Sequence, residues 1–198
     1  MRSSEPTERR IAGDLINDVL WRRVDEVSLE HCRLLRLADA YVLDGRVLTM
    51  VDAQPFQVHY LIDCDLGWST RTVEIATIRG ITNQTLQLRR DASGSWWRDG
   101  TRMPEFDGLT DVDLSISPST NTLPIRRLGL ETGAAASTDA VWLRFPALSM
   151  ERLPQRYTRT DERQYLYESR GGSFTADLEI DDHGMVVRYG ELWARVTG

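Results

Sequence analysis

Asp111 and Asp113 stand two residues apart in the run DVDLSIS of this 198-residue chain. On an extended strand such residues share a face, which sets their carboxyls roughly 6.5–7 Å apart. Like charges at that range split two carboxyl pKa values, so one can serve as acid and the other as base, and the spacing suits an inverting glycosidase pair. The same carboxylates can instead take forked bonds from Arg126 and Arg127, or contact a ligand's polar groups. The arginine pair can in turn hold an anionic head group or complement the C-terminal dipole of a short helix.

Other constellations lack part of what their chemistry needs. Asp63, Asp65, Gly67 and Glu74 outline a calcium loop, but Gly67 stands where a third oxygen ligand belongs and Trp68 where the loop needs glycine. His31, His59 and His183 do not fall at metal-ligand spacing. The chain has no G-x-S-x-G elbow and no glycine-rich phosphate loop between a strand and a helix. No catalytic residue, metal site or cofactor is therefore expected. The aromatics remain. Trp and Tyr join a large apolar surface to a polar handle, so Trp68, Trp97, Tyr157, Tyr165 and Tyr167 join Asp111, Asp113, Asn121, Arg126 and Arg127 as candidate ligand-binding residues.

Composition narrows the partners. The net charge is -6, against a basic nucleic-acid binder. All 24 cations are arginine. With no lysine there is no Schiff-base or Walker lysine. No apolar run reaches the roughly 20 residues a bilayer span needs. The first residues do not form the uninterrupted apolar stretch of a secretory signal, so a cytoplasmic location is expected. Cys32 and Cys64 are then free thiols packed as small apolar groups.

The elements that must position these residues are mostly strands. Alternating or apolar runs recur at 33–42, 46–51, 56–64, 71–79, 85–90, 95–98, 111–117, 140–145, 155–159, 164–168, 174–180, 185–189 and 192–196. Turn signals separate many of them. Asp44-Gly45 reads as a two-residue hairpin turn, and 91–94, 99–100, 107–108, 171–172 and 182–184 punctuate similarly. Residues 131–138 read as a surface loop. A short helix is expected at 122–128, capped by Thr120 or Asn121, with Pro124 in its first turn and Gly129 ending it. A second helix is expected at 8–20, where Ile11, Leu15 and Leu20 recur at near-helical spacing behind Thr7. The chain divides into a 1–20 extension, partly disordered or helical, and one β domain over 21–198.

The segment Asp111-Val112-Asp113, Ser117-Pro118 and Thr120-Asn121-Thr122-Leu123-Pro124-Ile125-Arg126-Arg127-Leu128 resembles the signature of a bacterial family named putative glycolipid-binding. Trp68 to Arg71, Trp97, Gln155 to Thr158, Tyr165 to Ser169, and Asp181, Gly184 and Tyr189 agree with it, so the resemblance runs from about 21 to 196. It implies a mainly β fold, a spiral β-roll in which one antiparallel sheet wraps around a single short helix. By analogy with lipid carriers it implies glycolipid binding. The expected function is non-enzymatic binding of an amphipathic small molecule or lipid in an apolar groove of the roll. A hydrolase using Asp111 and Asp113 is the second reading, and a homodimeric interaction module without a small ligand is the third.

Overall fold

A computed structural model describes residues 13–196. Fifteen strands follow in chain order: β1 (Asp14–Arg23), β2 (Ser28–Arg36), β3 (Tyr41–Val51), β4 (Gln54–Cys64), β5 (Thr70–Arg79), β6 (Thr82–Arg90), β7 (Trp96–Arg98), β8 (Thr101–Arg102), β9 (Asp111–Leu114), β10 (Ala135–Arg144), β11 (Ser149–Asp161), β12 (Gln164–Ser169), β13 (Phe174–Ile180), β14 (Val186–Tyr189) and β15 (Trp193–Arg195). One α-helix, α1 (Thr122–Leu128), interrupts them. All strands join one open sheet in the order β8-β7-β6-β5-β4-β3-β2-β1-β15-β14-β13-β12-β11-β10-β9. Every pairing is antiparallel except β9–β10, which is parallel. The intervening segment carries α1 and returns the chain in the same direction, as a parallel pair requires.

The sheet coils until its two edges approach. The Thr70 N–H donates to the Thr110 carbonyl at 3.1 Å, and the Gly108 N–H to that of Gly94 at 3.1 Å. Trp96 Nε1 donates to the Leu109 carbonyl at 2.9 Å. The enclosed face carries the main core, from Val19 and Trp21 on β1 through Tyr60, Ile62, Val73 and Leu88 to Val112, Leu114, Val141 and Leu143. A smaller cluster joins Ile125 of α1 to Tyr157, Tyr165, Tyr167, Leu178 and Ile180. Leu123 belongs to the first cluster and Ile125 to the second, so α1 lies between them. Each of these two buried side chains contributes about 1.5–3 kcal/mol by leaving water.

Three sequence expectations are corrected. Residues 14–20 are not helical but lie in β1, and 8–12 fall outside the described residues. β1 pairs with β2 on one edge and β15 on the other, and this tertiary pairing outweighs a short local periodicity interrupted by Gly13. Asp44-Gly45 is not a turn; it lies inside β3, and the hairpin turns at 37–40. A Cβ at Gly45 would sit 1.9 Å from Tyr60 Cζ, so glycine is there to let the Tyr60 ring cross the strand. Residues 135–138 of the expected loop open β10.

Candidate functional site

The alternation after Asp111 sets only a four-residue strand, because residues 115–117 turn away before Pro118. A 3-10 turn over Ser119–Asn121 leads directly into α1. The expected side-chain cap is absent: neither Thr120 nor Asn121 caps the first turn of α1. Thr120 Oγ1 accepts from the Leu114 N–H at 3.3 Å, and Asn121 Nδ2 donates to the Pro118 carbonyl at 3.1 Å. The first bond fastens the entry to α1 against β9, and the second closes the turn that leads into it. Gly129 ends the helix at φ 53°, its N–H donating to the Ile125 carbonyl at 3.3 Å.

The two aspartates meet different partners. Arg127 forks onto fully buried Asp111, Nε to Oδ1 at 3.1 Å and Nη2 to Oδ2 at 2.5 Å, and Nη2 also reaches Thr138 Oγ1 at 2.9 Å. Burial raises the Asp111 pKa, against the lowering effect of Arg127. Asp113 meets no arginine among the described residues; Gln155 Nε2 donates to it at 2.7 Å and lies 3.0 Å from the Tyr167 hydroxyl. The residue is half-exposed at the surface while its carboxyl turns into the protein. Burial raises its pKa to about 6, and the Asp111 charge adds to the rise. Tyr157 donates to Asn121 Oδ1 at 3.0 Å. Asp111 with Arg127, Asp113 with Gln155 and Tyr167, and Asn121 with Tyr157 thus form three separate hydrogen-bonded sets. Tyr157 and Tyr167 also pack in the smaller core, with ring centroids 5.1 Å apart.

Arg126 points elsewhere. Its guanidinium lies 5.3 Å from the centre of the Trp68 ring, and Trp68 stacks on Tyr41 at 4.2 Å. Its stem crosses the β13–β14 turn at Gly184, where an added Cβ would sit 2.7 Å from Arg126 Cδ. Beside it opens a cleft of about 200 Å³ lined by Ile125, Arg126, Arg159, Arg163, Tyr165 and Asp181, with Gly129, Glu162, Ile180, Asp182 and Gly184. Of the ten candidate residues, Arg126 and Tyr165 line this cleft. Trp97 lies on β7 near the other edge of the sheet, held by Asp91 at 3.1 Å and flanked by Arg89 and Arg102. The tyrosines expected along an apolar groove are mostly core, and the cleft wall is mainly polar.

Sequence reading passed over Arg159 and Glu30, and gave Asp181 no place among the candidate site residues. Arg159 donates to the carbonyls of Leu130 at 2.8 Å and Glu162 at 2.5 Å, holding the β11–β12 turn. Asp181 accepts from Asn17 and Arg195 at 2.6 and 2.7 Å, joining the β13–β14 turn to β1 and β15. Glu30 is wholly buried on β2. One carboxyl oxygen accepts from Tyr60 and from Ser117 (2.6 Å), while the other has no partner among the described residues. Desolvation raises its pKa to about 8, more than those two bonds lower it. One signal was legible: Glu30 stands in phase with Ser28, Cys32 and Leu34, which share the buried face of β2.

Among the described residues no helix is long and apolar enough to cross a membrane. A crystal structure of a DUF1089 family protein from Pseudomonas aeruginosa is similar, at 36% identity and a TM-score of 0.78, over 85% of this chain and 92% of that one. No curated protein matches. The model of the family described as "Putative glycolipid-binding" matches residues 18–195, and the chain belongs to that family.

Proposed function

We propose that the protein binds an amphipathic small molecule, a glycolipid in the reading its family name suggests, and performs no chemistry on it. The observation that carries this reading is the polar cleft beside α1, where guanidinium groups and the Tyr165 phenol face one space. At about 200 Å³ it is smaller than the roughly 300–1,000 Å³ of sites that enclose drug-sized ligands. It fits a head group, and the hydrocarbon part then lies outside. Leu15, two residues from the Asn17 that bonds Asp181, and Leu66, two residues from the Trp68 that Arg126 covers, are 56% and 49% exposed and offer apolar surface for it. Asp111 supports the site from within, through the ion pair with Arg127 that holds α1 against β9.

Lipid extraction of natively purified protein, followed by mass spectrometry, tests the reading. It should yield a sugar-bearing lipid in stoichiometric amount, and titration with that lipid should change Trp68 fluorescence through Arg126. Ligand-free protein, with flat fluorescence across a panel of micellar glycolipids, refutes it.

A further inference from the structure

We infer that the cleft beside α1 is built for an acidic head group, a carboxylate or phosphate ester on a sugar-sized moiety. This rests on the cleft being the binding site proposed above and adds the charge of what enters it. The lining contains three arginines and three acids. Asp181 is taken by Asn17 and Arg195, and by the backbone N–H groups of His183 and Met185, both at 2.9 Å. Arg163 and Asp182 satisfy each other at 2.5 Å. Arg126 and Arg159 remain, together with exposed Glu162. Arg126 makes no ion pair among the described residues, and Arg159 places three of its five N–H donors on backbone carbonyls, keeps two, and meets no carboxylate among the described residues. Two uncompensated guanidinium charges against one acid make the cleft locally positive in a chain of net charge -6.

The cations are also held in place. The Arg126 stem is pinned between Gly184 and the Trp68 ring, and Arg159 lies 5.8 Å from the centre of the Tyr165 ring. The Tyr165 ring is buried, and its hydroxyl, which makes no hydrogen bond among the described residues, is not sealed away from the cleft it lines. Burial raises its pKa, and the fields of Arg159 and Arg126 oppose the rise. Fixed guanidinium donors recognise carboxylate and phosphate with little entropy lost on binding. The free phenol supplies a third donor.

Calorimetric titrations with glucuronate, glucose 6-phosphate and glucose test the charge. Matched titrations with phosphatidylinositol and a neutral galactolipid in detergent micelles separate a lipid-borne head group from a free one. The acidic ligand of each set should bind at least about tenfold more tightly than its neutral counterpart, and the preference should shrink as salt rises. Arg126→Gln should weaken acidic ligands by roughly tenfold or more with the thermal midpoint unchanged. Gly184→Ala, which pushes on the Arg126 stem, should weaken acidic ligands too, with a lower thermal midpoint because φ 79° strains any added Cβ. Equal binding of glucose and glucuronate, or acidic-ligand affinity unaltered in Arg126→Gln, overturns the inference. If neutral galactolipid binds and Arg126→Gln makes no difference, glycolipid binding stands and the acidic head group fails. If only the soluble acids bind, the acidic site stands and the lipid reading fails.

Discussion

Replacing Glu30 by glutamine should make the protein more stable at alkaline pH. Glu30 is enclosed by the roll, with Tyr60 and Ser117 bonding one oxygen and nothing among the described residues bonding the other. Two neutral donors do not offset the loss of water around a carboxylate, so its pKa rises from 4.5 to about 8. The folded state then holds the proton more tightly than the unfolded chain. Stability from this group is fully present below the unfolded pKa of 4.5, declines as pH rises through the window up to about 8, and is flat above it. Each pH unit inside the window is worth about 1.4 kcal/mol, so between pH 5 and pH 8 the wild type should lose about 4 kcal/mol through Glu30 alone. Glutamine keeps the acceptor oxygen for Tyr60 and Ser117 and cannot ionise. Urea denaturation followed by tryptophan fluorescence at pH 5, 6, 7 and 8 measures both curves. Near pH 5 the variant should lie within about 1 kcal/mol of wild type, and by pH 8 it should be the more stable by about 3 kcal/mol. Other titrating groups, such as Asp113, act on both proteins and cancel in the difference. Parallel pH curves for wild type and Glu30→Gln would show that the group is ionised in the fold and refute the reasoning.

Gly45→Ala should cost about 3 kcal/mol or more in a denaturant titration, because its Cβ would occupy the space of the Tyr60 ring; a midpoint near wild type would contradict the close approach. Asp111→Asn leaves the half-buried Arg127 charge without its carboxylate and should destabilise by about 3–5 kcal/mol in the same assay. A loss below about 1 kcal/mol would show that the ion pair does not anchor α1. Asp113→Asn removes a carboxyl whose pKa burial raises from 3.8 to about 6. The variant should gain on wild type as pH rises from about 4 to 6, reaching about 3 kcal/mol above that window; thermal melts at pH 4 and pH 7 measure it.

Local chemistry made part of this molecule legible in its residues. The helix at Thr122–Leu128 and its end at Gly129 follow from a proline that suits a first turn and a glycine that accepts positive φ. The turns at 91–94, 99–100 and 182–184 follow from Asp and Gly in the same way. The mainly β character follows from two-residue alternation, which exposes one face of a strand and buries the other. Motif resemblance carried the family and the single helix inside the roll. Gly45 shows where local reasoning ends: the same dipeptide that makes a turn elsewhere here makes room for Tyr60, a residue fifteen positions away. β1 shows it again, because its strand state depends on β15, at the far end of the chain.

The site divides along the same line. Sequence alone placed Asp111, Asn121, Arg126 and Arg127 close together, since nearness along the chain limits how far apart they can lie. It had no means of knowing that Arg127 would take Asp111 while Arg126 stayed free, because both arginines can reach a carboxylate until packing fixes which way each points. Arg159 and Gly184 join Arg126 in the cleft only through the register of β11–β14, and Trp97 leaves the site because β7 lies near the opposite edge of the sheet. Residue types and periodicity determined the strands, the helix and the acid–arginine chemistry available to the chain. The coiling of one long sheet, a sum of cross-strand contacts between residues distant in sequence, decided which of those groups share a space and which charges are left without partners.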